Sequence, residues 1–224
     1  MFDKEDLVAT ILDQSDAVLI VQQVQEVLQS EQQQRRAFYD LIDEDTKAEF
    51  VNGEILYHSP VAKRHNDATK QLLKLMDVFT ALFKLGYVGV EKILTKFTRN
   101  DYEPDLCFFN QEKARDFQPG QVIFPVPDLA VEVLSKSSQK AINHDRITKY
   151  ADYEKHGVRE YWIIDADDET VEQYVLEAGK YRLVLKSSEG TIHSHCITGF
   201  SIPVRAIFDE TANLTALKAM LGGA

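Results

Sequence analysis

The chain has 224 residues, of which 44% are hydrophobic and 27% charged, and this composition fits a globular domain with a full core. Its formal net charge of −11 excludes a protein that holds duplex DNA by phosphate neutralisation alone, but not a nuclease whose metals and local lysines contact phosphates. No apolar run approaches ~18 residues, so we predict no membrane span. The acidic N-terminus lacks a signal peptide, which predicts a cytoplasmic protein with Cys107 and Cys196 as free thiols.

The N-terminal residues 1–37 are predicted to form a helical appendage to a domain over 38–224. Apolar residues recur at helical spacing from Val18 to Leu28, and a Gln-rich polar run follows. This pattern predicts a helix that packs on the body of the protein or on a partner subunit.

The next stretch predicts a short helix at 37–45 and then a β-hairpin. Strand-like pieces at 48–51 and 54–57 flank an Asn-Gly pair, the strongest short hairpin signal. Ser59 as N-cap and Pro60 at the first position predict the start of a long amphipathic helix that Gly86 ends.

Strands and one helix dominate the rest of the chain. Two apolar segments each begin with Pro-Asp, at 104–109 and 127–135, and read as buried strands. The other predicted elements are strands at 87–91, 92–98, 160–165 and 193–197, helices at 138–156 and 210–221, and a hairpin over 171–185. This order predicts an α/β or α+β class.

Three carboxylates lie in or beside the two Pro-Asp strands, namely Asp105, Asp128 and Glu132. Acids in apolar runs are expensive to bury unless a metal or a cation pairs with them. The separation of 27 positions between Asp105 and Glu132 allows the chain to turn back and bring the two acids together on neighbouring strands. Mg²⁺ favours such a pair because it takes one or two carboxylates and several waters.

Each residue also has a simpler structural explanation. Asp128 fits a cap at a strand start, whereas Glu132 lies in the middle of an apolar run, where an ionised side chain needs a partner. Lys149 lies four residues after Asp145, the spacing of an ordinary surface ion pair. A lone helical histidine such as His65 is usually structural or solvated.

The motifs from residue 127 onwards resemble the Uma2 family, formerly a domain of unknown function, in the PD-(D/E)xK nuclease superfamily. The resemblance is carried by Pro-Asp-Leu-Ala-Val-Glu-Val-Leu-Ser at 127–135, by Asp145, Lys149 and Tyr153 at four-residue spacing, and by the Gly-Val-x-Glu-Tyr-Trp run at 157–162. It covers residues 38 to about 186. It implies an α/β, restriction-endonuclease-like core, with a central mixed sheet flanked by helices and a C-terminal β-hairpin extension.

The resemblance also implies roles for particular residues. Asp105 matches the Pro-Asp acid and Glu132 the acid of the (D/E)xK half, and the backbone carbonyl of Val133 is implied as a further metal ligand. The lysine position of that half holds Leu134, so Lys149 on the following helix is the implied replacement. Glu54 fits an additional upstream acid.

Three functions remain open from the sequence. The first is Mg²⁺-dependent hydrolysis (with Mn²⁺ as an alternative ion) of DNA phosphodiester bonds by an endonuclease that acts as a homodimer. The second is a catalytically weak or inactive protein of the same fold that acts as a binding or regulatory homodimer. The third is a structural homodimer in which Glu132 is paired internally.

Overall fold

The computed structural model describes residues 4–42 and 47–222, which contain seven α-helices and thirteen strands. The helices are α1 (Lys4–Leu12), α2 (Ala17–Leu41), α3 (Lys63–Phe83), α4 (Gln111–Ala114), α5 (Gln139–Asn143), α6 (Tyr150–Lys155) and α7 (Glu210–Gly222). A π-helical segment (His144–Lys149) joins α5 to α6, and a 3₁₀ turn (Val204–Ile207) precedes α7.

The strands are β1 (Ala48–Val51), β2 (Glu54–Tyr57), β3 (Gly86–Val90), β4 (Leu94–Lys96), β5 (Asp101–Tyr102), β6 (Leu106–Asn110), β7 (Ile123–Phe124), β8 (Leu129–Val133), β9 (Glu160–Asp165), β10 (Thr170–Glu177), β11 (Lys180–Ser187), β12 (Thr191–His193) and β13 (Ser201–Pro203). A six-stranded sheet in the order β11-β10-β9-β8-β6-β3 forms the centre. Its β8–β9 pair is parallel and its other pairs are antiparallel, so the predicted central mixed sheet with flanking helices is confirmed. The predicted C-terminal hairpin is β10–β11, which completes one edge of this sheet.

A second sheet of five strands, in the order β2-β1-β5-β4-β7, lies outside the central one. Its β1–β2 hairpin is confirmed, with Asn52 and Gly53 both at positive φ (51° and 87°), as a tight Asn-Gly turn requires. The strands β12 and β13 form a separate small pair.

The two faces of β8 contact different parts of the protein, because successive side chains of a strand point to opposite faces of the sheet. Leu129, Val131 and Val133 join the main hydrophobic core, to which α3 contributes buried residues such as Leu72 and Leu75. Ala130 points to the other face and packs in a second core with residues of α6 and β9. By the same alternation Glu132 belongs to this second face.

Several predicted boundaries are wrong. The helix predicted to start at Ser59 and Pro60 begins at Lys63, and the backbone turns left-handed at Lys84 (φ 54°) rather than ending the helix at Gly86. No short helix begins at 37 in the described residues, because α2 continues to Leu41; residues 43–45 of that prediction lie outside the described residues. The strand predicted at 193–197 is found at Thr191–His193.

The N-terminal helices differ from the rest of the chain in how little of them is buried. In α2 the buried residues are Arg35 and Phe38, which lie on either side of the predicted boundary at 37. The helix crosses this boundary without a break, so an appendage ending at 37 stays a prediction. None of the helices within 4–42 and 47–222 is long and apolar enough to cross a membrane.

Candidate active site

Asp105 and Glu132 are brought side by side by the pairing of β6 with β8. The antiparallel register aligns Leu106 with Val131, and one step further along this register places Asp105 opposite Glu132. Opposite residues of an antiparallel pair face the same side of the sheet. In addition, the Val133 backbone N–H donates to Asp105 Oδ2 at 2.8 Å. The turn-back expected from the 27-residue gap is therefore present.

Lys149 lies between three carboxylates in the interior. Its Nζ is 2.9 Å from Glu132 Oε1, 2.9 Å from Glu49 Oε1 and 3.5 Å from Asp145 Oδ1. Only 1% of the residue is exposed, so the alternative of a surface ion pair with Asp145 is wrong. Burial lowers the pKa of Lys149, but the three carboxylates outweigh burial and hold this pKa above its ordinary value.

The π-helical segment is the local feature that carries both Asp145 and Lys149 inward. A π turn is wider than an α turn and often occurs at functional sites. Here it interrupts the single helix predicted for 138–156, and Asp145 and Lys149 are buried while Ile147 is 61% exposed.

Glu132 is surrounded by more negative than positive charge. Burial raises its pKa, Lys149 lowers it, and the carboxylates of Asp145, Asp105 and Glu49 raise it further, so that the pKa lies well above its ordinary value. Tyr153, one turn after Lys149, donates its hydroxyl to Glu132 Oε1 at 2.9 Å. Tyr153 thus contacts the site.

Several hydrogen-bond and charge partners offset the burial of the Asp105 carboxylate. Its carboxylate receives the Val133 N–H and lies 3.2 Å from His65 Nε2 and 3.3 Å from Lys47 Nζ. Burial raises the pKa of Asp105, but His65 and Lys47 reverse this effect and lower the pKa to about 2. His65 is itself buried, so it is a structural partner of Asp105 rather than a solvated helical histidine.

Glu49 on β1 is a site residue that the sequence reasoning missed. It is fully buried; Oε1 contacts Lys149 and accepts from the Glu103 N–H at 3.0 Å, while Oε2 lies 2.6 Å from His144 Nε2 and 3.6 Å from His58 Nε2. Burial raises the pKa of Glu49, but Lys149 and the histidines lower it well below its ordinary value. A signal was available, since Glu49 interrupts an apolar strand in the same way as Glu132.

The structure does not bring Glu54 to this group. Glu54 starts β2, the edge strand of the outer sheet, and its side chain is exposed, so the upstream acid beside Lys149 is Glu49. Asp128 also lies elsewhere: its carboxylate accepts from the Asn110 N–H at 2.8 Å and from Lys113 Nζ at 3.1 Å. These contacts fit the interpretation of Asp128 as a cap.

The oxygens of Asp105 and Glu132 and the adjacent Val133 backbone are hard ligands of the kind that Mg²⁺ selects. Within the described parts of the chain no group of three or more His, Cys, Asp or Glu side chains is arranged to hold one ion. Mg²⁺ needs only one or two carboxylates, and the acids Asp145, Asp105 and Glu49, which after burial are what raises the pKa of Glu132, favour an added cation. The donor set therefore fits a hydrated divalent ion.

Comparison with known proteins identifies the family. The model of the Uma2 family, described as "Putative restriction endonuclease", matches residues 21–205. A crystal structure of "a putative nuclease belonging to DUF820" from Anabaena variabilis ATCC 29413 has a similar fold, with a TM-score of 0.64 and 17% identity over 80% of this chain and 96% of that chain. No curated protein matches. Because the family model covers most of the sequence, this chain belongs to the Uma2 family.

Proposed function

We propose that this protein is a Mg²⁺-dependent endonuclease that hydrolyses phosphodiester bonds of DNA. The observation that carries the proposal is the juxtaposition of Asp105, Glu132 and Lys149 in a chain of the family described as "Putative restriction endonuclease". Two acids on adjacent strands and a buried cation 2.9 Å from one of them supply the groups that metal-assisted hydrolysis requires.

The carboxylates of Asp105 and Glu132 and the carbonyl of Val133 would hold the ion, with Mn²⁺ as an alternative to Mg²⁺. Such an ion, when bound, polarises a phosphodiester and lowers the pKa of a bound water. Asp105 is suited to this role because its pKa of about 2 keeps it ionised at neutral pH.

Lys149 would stabilise the negative charge that develops on the phosphoryl oxygens. Its raised pKa keeps the side chain protonated at neutral pH, and Glu49, Glu132 and Asp145 fix the ammonium in place. A fixed charge in a site of low dielectric acts more strongly than a mobile one in water. Lys149 would thus replace the lysine that is absent from position 134.

One observation favours the second function, a weak or inactive nuclease-fold protein that acts as a binding or regulatory homodimer. Asp105, Glu132 and Lys149 are only 5%, 3% and 1% exposed, so cleavage requires that substrate reach a group that is closed in this structure. Under either function we propose a homodimer, which as an endonuclease would present one site to each strand of a duplex.

Cleavage of supercoiled plasmid in Mg²⁺ or Mn²⁺ tests the proposed chemistry. We expect the wild-type protein to nick the plasmid, Asp105→Asn to lose this activity, and Glu112→Gln, which changes an exposed acid on α4, to retain it. Nicking that persists in Asp105→Asn would mean that a contaminating nuclease is responsible. The same assay with a single-stranded RNA tests the choice of DNA.

Calorimetric titration of Mg²⁺ and Mn²⁺ tests the metal separately from cleavage. We expect the wild-type protein to bind the ion and folded Glu132→Gln to bind it more weakly, because one carboxylate ligand is lost. If the wild-type protein binds neither ion, the proposed mechanism is wrong. If it binds the ion but cleaves neither nucleic acid, the second function is supported.

A further inference from the structure

The N-terminal arm, defined as α1 and residues 17–34 of α2, exposes an unusual amount of apolar surface. Nine large aliphatic side chains in it are between 40% and 70% exposed: Leu7, Val8, Leu12, Val18, Leu19, Val21, Val24, Val27 and Leu28. Single exposed apolar residues are normal on protein surfaces, whereas a contiguous group marks an interaction site.

Most apolar residues in the first half of α2 form one continuous stripe. Its members recur at steps of three and four residues, which places them on one face of the helix: Ala17, Ile20, Val21, Val24, Val27 and Leu28. Val18 and Leu19 lie outside this stripe, and the opposite face carries glutamines such as Gln22 and Gln29.

The spacing of the stripe is symmetric about Val24. Val21 and Val27 lie three residues on either side of it, and Ile20 and Leu28 lie four residues on either side. A two-fold interface uses the same patch on both subunits, so that residue i contacts residue j and j contacts i. Two antiparallel copies of α2 that cross at Val24 satisfy this condition for the centre of the stripe, because Val21 then faces Val27 and Ile20 faces Leu28.

The charges along the arm argue against two other kinds of partner. Residues 5–34 include Asp13, Asp16 and Glu26 but neither lysine nor arginine, so this stretch has no basic side chain for an anionic membrane or a nucleic acid.

The exposed area fits an interface at the small end of the range. A fully exposed valine or leucine side chain offers roughly 60–120 Å² of apolar area, so the seven without Val18 and Leu19, at about half exposure, offer roughly 200–400 Å². An interface at the low end of the range buries about 600 Å² on each partner, of which roughly 350 Å² is apolar.

We propose that the N-terminal arm is the interface of a two-fold dimer of this chain, in which two α2 helices pack antiparallel and cross at Val24. The inference rests on the proposed homodimer and specifies its surface, but it does not depend on the proposed chemistry. It also differs from pairing through the edge strand β11, because the arm lies at the opposite end of the sequence.

Disulfide mapping in the full-length protein tests the geometry. Val24→Cys should cross-link to itself under a mild oxidant, since residue 24 meets its own copy at the two-fold axis. Val21→Cys should cross-link poorly alone but readily when mixed with Val27→Cys. Gln22→Cys, on the opposite face of α2, is the matched control and should not cross-link. The native Cys107 and Cys196 are buried and should not contribute.

Mass measurement by light scattering tests whether the protein is a dimer and, separately, whether the N-terminal arm forms the interface. The wild-type protein should be a dimer, and Val24→Glu, which changes an exposed position, should keep its thermal stability as a monomer while its dissociation constant rises at least tenfold. A wild-type monomer at all attainable concentrations would refute both the dimer and this surface. A dimer that survives Val24→Glu would refute the surface alone. Self-cross-linking of Val21→Cys as efficient as that of Val24→Cys would refute the antiparallel arrangement.

Discussion

Replacing Lys149 by methionine is the most direct test of how the buried cluster is held together. The ammonium group lies 2.9 Å from Glu49 and Glu132 and 3.5 Å from Asp145. Each such pair has an attraction of about 5 kcal/mol at an effective dielectric constant of 20, partly offset by desolvation. Removing one partner of a buried charge group costs about 3–5 kcal/mol. We therefore expect Lys149→Met to lose a large part of the ordinary 5–15 kcal/mol of domain stability.

The loss should depend on pH, and its sign follows from proton binding. Without Lys149 the pKa of Glu132, already raised by burial, rises further. The pKa of Glu49, which Lys149 and the histidines hold well below its ordinary value in the wild-type protein, rises as well. The folded variant therefore binds more protons than the folded wild-type protein, while the two unfolded chains titrate alike, so the stability of the variant relative to wild type falls as the pH rises. The destabilisation should accordingly be larger at pH 8 than at pH 5.

Urea unfolding followed by fluorescence measures this effect, because the single tryptophan, Trp162, is fully buried. Lys140→Met on α5 is the control, since it removes an exposed lysine from a neighbouring part of the same helical region. We expect the control to unfold at the wild-type midpoint. An unchanged midpoint for Lys149→Met at pH 8, or a loss of stability equal at pH 5 and pH 8, would refute the reasoning.

Other predictions concern acids and cations around the site. Burial and the charge of Glu49 raise the pKa of Glu103 from 4.5 to about 7, so the stability that Glu103 contributes is lost as the pH rises through that window. In urea unfolding, the free energy of unfolding of Glu103→Gln should therefore rise by up to about 3 kcal/mol relative to that of the wild type between pH 4.5 and pH 8. Arg35→Met should cost about 3–5 kcal/mol in the same assay, because it removes two 2.6 Å hydrogen bonds to the fully buried Asp101. Mg²⁺ should raise the melting temperature of the wild-type protein but not of Glu132→Gln, and an equal rise in both would place the ion elsewhere.

The proximity of Asp105 and Glu132 was predictable because both residues lie in apolar segments that begin with Pro-Asp. Such runs specify strands, and consecutive strands usually lie next to each other in space. The position of Lys149 was predictable only through the family resemblance. From spacing alone it matched a surface pair with Asp145, because nothing in the pattern distinguishes an α turn from the π turn that buries both residues.

Glu49 was not predicted because its place depends on contacts between distant parts of the chain. The β1 strand pairs with β5 through Phe50 and Asp101, which brings the outer sheet against the π-helical segment. The local sequence pattern identifies an acid within an apolar strand, but it does not determine which sheet the strand joins or which face of that sheet the acid lies on. The choice of Glu54 relied on the family pattern, and the hairpin register leaves that residue at the exposed edge.

At the beginning of α3 a clear local sequence signal predicted the wrong helix start, because tertiary contacts override it. Ser59 and Pro60 fit the first positions of a helix, yet the helix starts at Lys63 without a side-chain cap. His58 lies 3.6 Å from the buried Glu49, and His65 contacts Asp105. The segment between these two histidines therefore connects two acids of the site, and the later helix start is consistent with both contacts.

The cluster as a whole is short of positive charge. Four buried acids surround it, and Lys149 and Lys47 are the lysines in contact with them: Glu49, Asp105, Glu132 and Asp145. Burial is the largest cause of the raised pKa of Glu132, and Asp145, Asp105 and Glu49 add to it although Lys149 opposes them. In a well-paired structural network each buried charge would have its own partner. Here Lys149 alone contacts three carboxylates, so the electrostatics that make Glu132 costly to fold are those that would favour the proposed metal ion.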